Sequence, residues 1–124
     1  MDTFLRRCRV TKDYQASNTN PFSVQTHELF HISEKVDLWN GNPDWTWIWC
    51  TDQHGKSGWV PKKMIHMNSD NTTASTSSAY SALELTVVTG DELQVVREES
   101  GWLWCADEQG NCGWVPLEHV TRLP

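Results

Sequence analysis

The sequence has little of what catalysis usually requires. It contains no Gly-rich phosphate loop and no nucleophile elbow. Neither Cys8 nor Cys112 sits in a Cys-x-x-Cys, so no structural zinc is expected, and no other metal or cofactor is implied. Long apolar runs are absent, which excludes a membrane-spanning helix. The start, Met1-Asp2-Thr3-Phe4-Leu5-Arg6-Arg7, lacks the apolar core of about 7–15 residues that a signal peptide needs. The expectation is a cytoplasmic chain with reduced thiols. Basic excess is missing too. The net charge of −6 argues against nucleic acid, whose phosphates call for a basic face.

That charge is unevenly spread. Residues 1–68 carry eight Lys/Arg and seven Asp/Glu, whereas residues 79–124 carry two and eight. The C-terminal half therefore suits a basic partner, or stays soluble through acidic loops. What the chain has in plenty is tryptophan, eight in 124 residues. Each such ring buries roughly 150–250 Å², so a small core needs few of them. The surplus points to a recognition surface.

An internal repeat organises the chain. Residues 47–65, WIWCTDQHGKSGWVPKKMI, align without a gap on residues 102–120, WLWCADEQGNCGWVPLEHV, with nine of nineteen positions identical. Upstream, Ser23-Val24 through Phe30-His31-Ile32 matches Thr86-Val87 through Leu93-Gln94-Val95, and Tyr14-Gln15-Ala16 matches Tyr80-Ser81-Ala82. Repeat 1 carries extra residues in its first loop and again between Ile32 and Trp47, where insertions are tolerated. The polar stretch 68–78 offers no apolar pattern and reads as a linker.

Alternation of apolar and polar residues along Leu85–Val87 and Leu93–Val95 indicates strands, and no stretch holds a period of 3.6. Asp52-Gln53-His54-Gly55 and Asp107-Glu108-Gln109-Gly110 suit hairpin turns. His27 falls where repeat 2 has Gly90, a turn position requiring a residue that tolerates positive φ. Ile48 with Cys50, and Leu103 with Cys105, should face the core, with Trp49 and Trp104 facing away to cover a neighbour.

The order Glu84-Leu85-Thr86-Val87-Val88-Thr89-Gly90-Asp91-Glu92-Leu93, then Glu99-Ser100-Gly101-Trp102, then Gly113-Trp114-Val115-Pro116 resembles SH3 domains. Lys12-Asp13-Tyr14-Gln15-Ala16 and Gly58-Trp59-Val60-Pro61 give repeat 1 the same likeness, closest to the divergent tandem SH3-like proteins of bacteria. The resemblance implies an all-β chain of two small SH3-like β-barrels in tandem. Domain 1 would span 1–67, with a Trp-rich insertion at 33–46, followed by the linker 68–78 and domain 2 at 79–124.

It also implies a non-catalytic module that binds a protein or an extended peptide in aromatic grooves. Tyr14, Trp47, Trp59 and Pro61 would form the first groove, and Tyr80, Trp102, Trp114 and Pro116 the second. Trp39, Trp45, Glu98, Glu99 and His119 are additional candidate contacts. Departures are visible: Lys12 replaces one groove tyrosine, and Met64 and His119 replace another, so ordinary PxxP binding is in doubt. Repeat 2 offers about eight core positions, too few to offset chain entropy comfortably, so docking of the two barrels on each other is expected. Two alternatives stand beside the adaptor reading: a scaffold with occluded grooves, and binding of cell-wall peptide or glycan.

Overall fold

The computed structural model describes residues 6–17 and 20–124. Its strands are β1 (Arg6–Val10), β2 (Ser23–Val24), β3 (Phe30–Leu38), β4 (Thr46–Thr51), β5 (Ser57–Pro61), β6 (Ile65–Met67), β7 (Thr73–Thr76), β8 (Tyr80–Ser81), β9 (Glu92–Glu99), β10 (Trp102–Ala106), β11 (Cys112–Pro116) and β12 (Val120–Arg122). Short 3₁₀ turns are the only helical elements among the described residues. The all-β expectation holds.

The division of the chain differs from the expected one. Two compact units form, and one is discontinuous: Met1–Ser17 together with Leu83–Pro124 make the flanking unit, and Asn18–Ala82 make the central unit. The sheets explain why. The flanking unit has the strand order β11-β10-β9-β1-β12, and the central unit has β5-β4-β3-β7-β6. These orders superimpose strand for strand, with β7 in the place of β1. Each repeat is thus closed by an opening strand that lies in sequence next to the other repeat.

The segment 68–78, expected to be a linker, therefore supplies a central strand. Thr73–Thr76 alternates half-buried and buried, with Ala74 and Thr76 fully enclosed. It pairs antiparallel with β3 through Phe30↔Ala74 and with β6 through Ile65↔Thr76. Small residues and threonine fit a strand wedged between two neighbours, where β-branching favours the extended backbone. The Thr76 hydroxyl donates to the Ser78 carbonyl at 2.7 Å, so its burial leaves no polar group unsatisfied.

The core of the flanking unit shows the same exchange. Cys8 and Val10 of β1 pack with Leu85, Val87, Leu93, Val95, Leu103, Cys105 and Val115, and Val120 lies against them. Repeat 2 looked short of core because two of its residues come from the chain's beginning. Cys8↔Leu93 and Cys8↔Arg122 fix the register of β1 between β9 and β12. In the central unit, Phe22 and Phe30 meet edge to face at 5.0 Å, and Cys50 and Val60 are enclosed.

Turn chemistry follows the expected positions. Asp52 accepts backbone N–H groups of His54 and Lys56 at 2.9 and 3.0 Å and of Ser23 at 3.1 Å. Burial opposes its ionisation, but these donors outweigh burial and lower its pKa. Asp107 repeats the motif with Gln109 and Asn111. His27 adopts φ 64°, matching Gly90 at 98°.

Candidate functional site

The site grows out of the hairpin shared by both repeats. In β10–β11, Trp102 pairs with Pro116 and Trp104 with Trp114 across the strands. Alternation places these four side chains on one face and Leu103, Cys105 and Val115 on the other. In β4–β5, Trp47 pairs with Pro61 and Trp49 with Trp59, giving the same ladder.

Tyr14 completes the flanking unit's cluster. Its backbone pairs with Val87, and its ring stands edge-on to Trp102 at 5.6 Å and to His119 at 5.4 Å. Edge-to-face packing sets the positive ring edge against the negative face of a neighbour. The Tyr14 hydroxyl donates to Glu84 Oε1 at 2.6 Å, and Ser17 donates to the same oxygen through its backbone N–H and its hydroxyl. Burial, then the Glu84 carboxylate, push the phenol's pKa well above its ordinary value. His119 Nδ1 lies 3.0 and 3.2 Å from the Asp13 and Lys12 carbonyls. Carbonyls only accept, so Nδ1 carries a proton, and the ring is locked beside Tyr14. The result is a row His119–Tyr14–Trp102, with Pro116 opposite the Trp.

Tyr14 was expected in the groove of repeat 1 and Tyr80 in that of repeat 2; the structure interchanges them. Tyr80 belongs to the central unit, where β8 pairs with β2, its hydroxyl donates to the Trp59 carbonyl at 2.7 Å, and its ring lies 6.2 Å from Phe22. With Pro21 where the flanking unit has Glu84, no acid is in that position, and the phenol turns to the backbone instead.

Exposure further separates the expected groove residues. Trp47 and Trp102 are only 5% and 8% exposed, and Trp114, Tyr80, Pro61 and Pro116 are likewise buried. Tyr14, Trp59 and His119 remain half-buried. Trp39 and Trp45 are half-buried in two consecutive 3₁₀ turns, Trp39–Gly41 and Pro43–Trp45, the second capped by Asn42 Oδ1 on the Asp44 N–H at 2.9 Å. Glu98 is ion-paired with Arg122, and Glu99 meets Arg97 and the Ser100 hydroxyl. These acids are already engaged within the chain.

Sequence reasoning missed Glu84 as the partner of Tyr14 and Lys35 as the partner of the Trp49–Trp59 pair. The Tyr14–Glu84 pair was hidden because the opening strand that brings Tyr14 there was assigned to the wrong repeat. Among the described residues no group of three or more His, Cys, Asp or Glu could hold a metal ion, and no helix is long and apolar enough to cross a membrane.

Residues 7–67 match the family model of the variant SH3 domain. That segment is an SH3-type domain by sequence, a class whose members generally serve as protein-interaction modules. The match runs straight across the division at Ser17/Asn18, so its opening residues close one unit and the rest build the other. No solved structure matches the chain.

Proposed function

We propose that the chain is a non-catalytic adaptor that binds an extended segment of another protein at the row His119–Tyr14–Trp102 of the flanking unit. The observation that carries this reading is the pair of edge-to-face contacts that Tyr14 makes with Trp102 and His119. Rings set upright beside one another leave shallow slots between them, and an extended or left-handed peptide docks in such slots at small entropic cost. Tyr14 and His119 form the accessible rim, with Trp102 and Pro116 beneath. Trp49 and Trp59 are the accessible part of the corresponding ladder in the central unit.

Ordinary PxxP recognition fits poorly. A histidine stands where a second phenol would complete a proline slot, and Glu98 and Glu99 are paired with arginines of the chain. A segment with one apolar anchor and a hydrogen-bond donor for the rim suits the row better, because the Tyr14 hydroxyl already gives its proton to Glu84 and keeps a lone pair to accept with. The burial of Trp47 and Trp102 favours a second reading, a scaffold whose aromatic clefts are closed within the chain itself.

Titration of ¹⁵N-labelled protein with a library of extended peptides separates the two. Saturable shifts centred on the Trp102 indole and the His119 and Tyr14 rings support the adaptor. Silence from every peptide contradicts it and leaves the scaffold.

A further inference from the structure

The aromatic ladder of the central unit ends in a feature that peptide docking at Tyr14 does not use. Trp49 and Trp59 face each other across β4–β5 with ring centroids 5.1 Å apart and planes at 71°. Both remain half-buried. The ammonium of Lys35 sits over them, 4.4 Å from the Trp49 ring and 5.2 Å from the Trp59 ring. Two indole faces set at a steep angle concentrate negative quadrupole potential in the notch between them, which attracts a cation without any carboxylate.

The backbone is bent to put the lysine there. Ile32 pairs with Cys50 and Val36 with Ile48, so Ser33, Glu34 and Lys35 stand opposite Trp49 alone. This bulge re-aims the β3 side chains. It is held by the Ser33 hydroxyl, which donates to the Trp49 carbonyl at 2.7 Å and accepts from the Lys35 N–H at 3.1 Å. Lys35 is itself exposed, and among the described residues no carboxylate pairs with its ammonium.

The flanking unit repeats the pair: Trp104 and Trp114 lie 5.3 Å apart at 72°. There the cation opposite Trp104 is Arg97, which also pairs with Glu99 at 3.5 Å. The indole pair is thus kept in both units.

We propose that the Trp49–Trp59 notch is a binding site for an alkylammonium head, the side chain of a lysine or methylated lysine on a partner, and that Lys35 is a built-in occupant which such a ligand displaces. The chain's own lysine defines the chemistry the notch accepts. Because Lys35 competes from an exposed, flexible stem, it lowers the apparent affinity of an incoming cation by the fraction of time it holds the seat. A quaternary head sheds less hydration than a primary ammonium and gains more from two indole faces, so trimethyllysine should bind better than lysine.

The test uses the full chain and N-acetyl-trimethyllysine amide, with its uncharged tert-butyl isostere as control. Indole N–H shifts are followed by NMR in the wild type, Lys35→Ala, Lys35→Met and Trp49→Leu. The expected result is saturable movement of the Trp49 and Trp59 signals by the cation only, about two- to fivefold tighter in both Lys35 variants, as loss of an exposed cation–π competitor predicts. Trp49→Leu should abolish it. Equal response to the isostere, or affinity unchanged in both Lys35 variants, overturns the proposal. Neither result bears on the peptide reading, which is read at Trp102, Tyr14 and His119.

Discussion

Tyr14 stands edge-on to Trp102, with ring centroids 5.6 Å apart, although one residue opens the first repeat and the other lies in the second. The contact exists because β1 enters the sheet of repeat 2 between β9 and β12, while β7 fills the matching place in repeat 1. The crossings fall at Ser17/Asn18 and Ala82/Leu83, equivalent points just past Tyr14 and Tyr80.

Tyr14→Phe removes the phenol that donates to Glu84. A single partly exposed hydrogen bond of this kind contributes about 1 kcal/mol, and urea melts at pH 7 should show a loss of that order. The folded state raises the phenol's pKa, so its contribution is complete below the ordinary tyrosine value and is lost as pH rises beyond it. The stability gap between wild type and variant should therefore shrink above roughly pH 10. A gap that widened there would contradict this assignment.

Asp70 reports on the turn that turns the expected linker into a strand. It accepts the Thr72 and Thr73 N–H groups at 2.9 and 3.0 Å and the Thr73 hydroxyl. These donors, the Thr72 N–H first, bring its carboxyl from 3.8 down to about 2. Its stabilising share is whole above the ordinary aspartate pKa and is lost as pH falls toward 2. Carboxyl NMR titration should find its midpoint near 2. A midpoint at the ordinary aspartate value would mean that the 68–72 turn is not formed.

Gly113→Ala should destabilise the flanking unit by about 1–3 kcal/mol, the usual cost of forcing atoms into a packed interior. A Cβ there would stand 2.7 Å from the Leu85 N and 2.8 Å from the Glu84 carbonyl carbon, both backbone atoms that cannot step aside. Denaturant melts followed by tryptophan fluorescence check the size of the effect. A neutral substitution would show that the segment at Glu84–Leu85 does not press against β11.

Cysteine chemistry should sort by burial. Cys8, Cys50 and Cys105 are fully enclosed, and burial pushes the Cys50 thiol up to about 12. Cys112 alone is half-buried. Iodoacetamide applied to the native protein at pH 8 should label Cys112 first, with the other three reacting only on unfolding. Fast labelling of Cys50, mapped by mass spectrometry, would contradict the assigned core.

Much of this fold was legible in the residues. The paired Trp positions, the Asp-x-x-Gly turns, the inward Cys50 and Cys105 and the positive φ at His27 all follow from local rules that each repeat obeys separately. The exchange of opening strands does not. Cys8-Arg9-Val10 and Ala74-Ser75-Thr76 carry the same alternation, so either could close either sheet, and local pattern is silent on the choice. The strand at 73–76 was hidden for a second reason: its buried residues are Ala74 and Thr76, one too small and the other too polar to mark an apolar face. The site suffered the same error. Tyr14 and Tyr80 were assigned to each other's partners, and burial of Trp47 and Trp102 depends on contacts no spacing reveals.

Aromatic NOE spectroscopy on the full-length chain addresses the strand exchange most directly. The account predicts cross-peaks from the Tyr14 ring to Trp102 and His119, and from Tyr80 to Phe22. Cross-peaks joining Tyr14 to Trp47 and Met64 instead would mean that each repeat closes on its own opening strand, and the nested arrangement would be wrong.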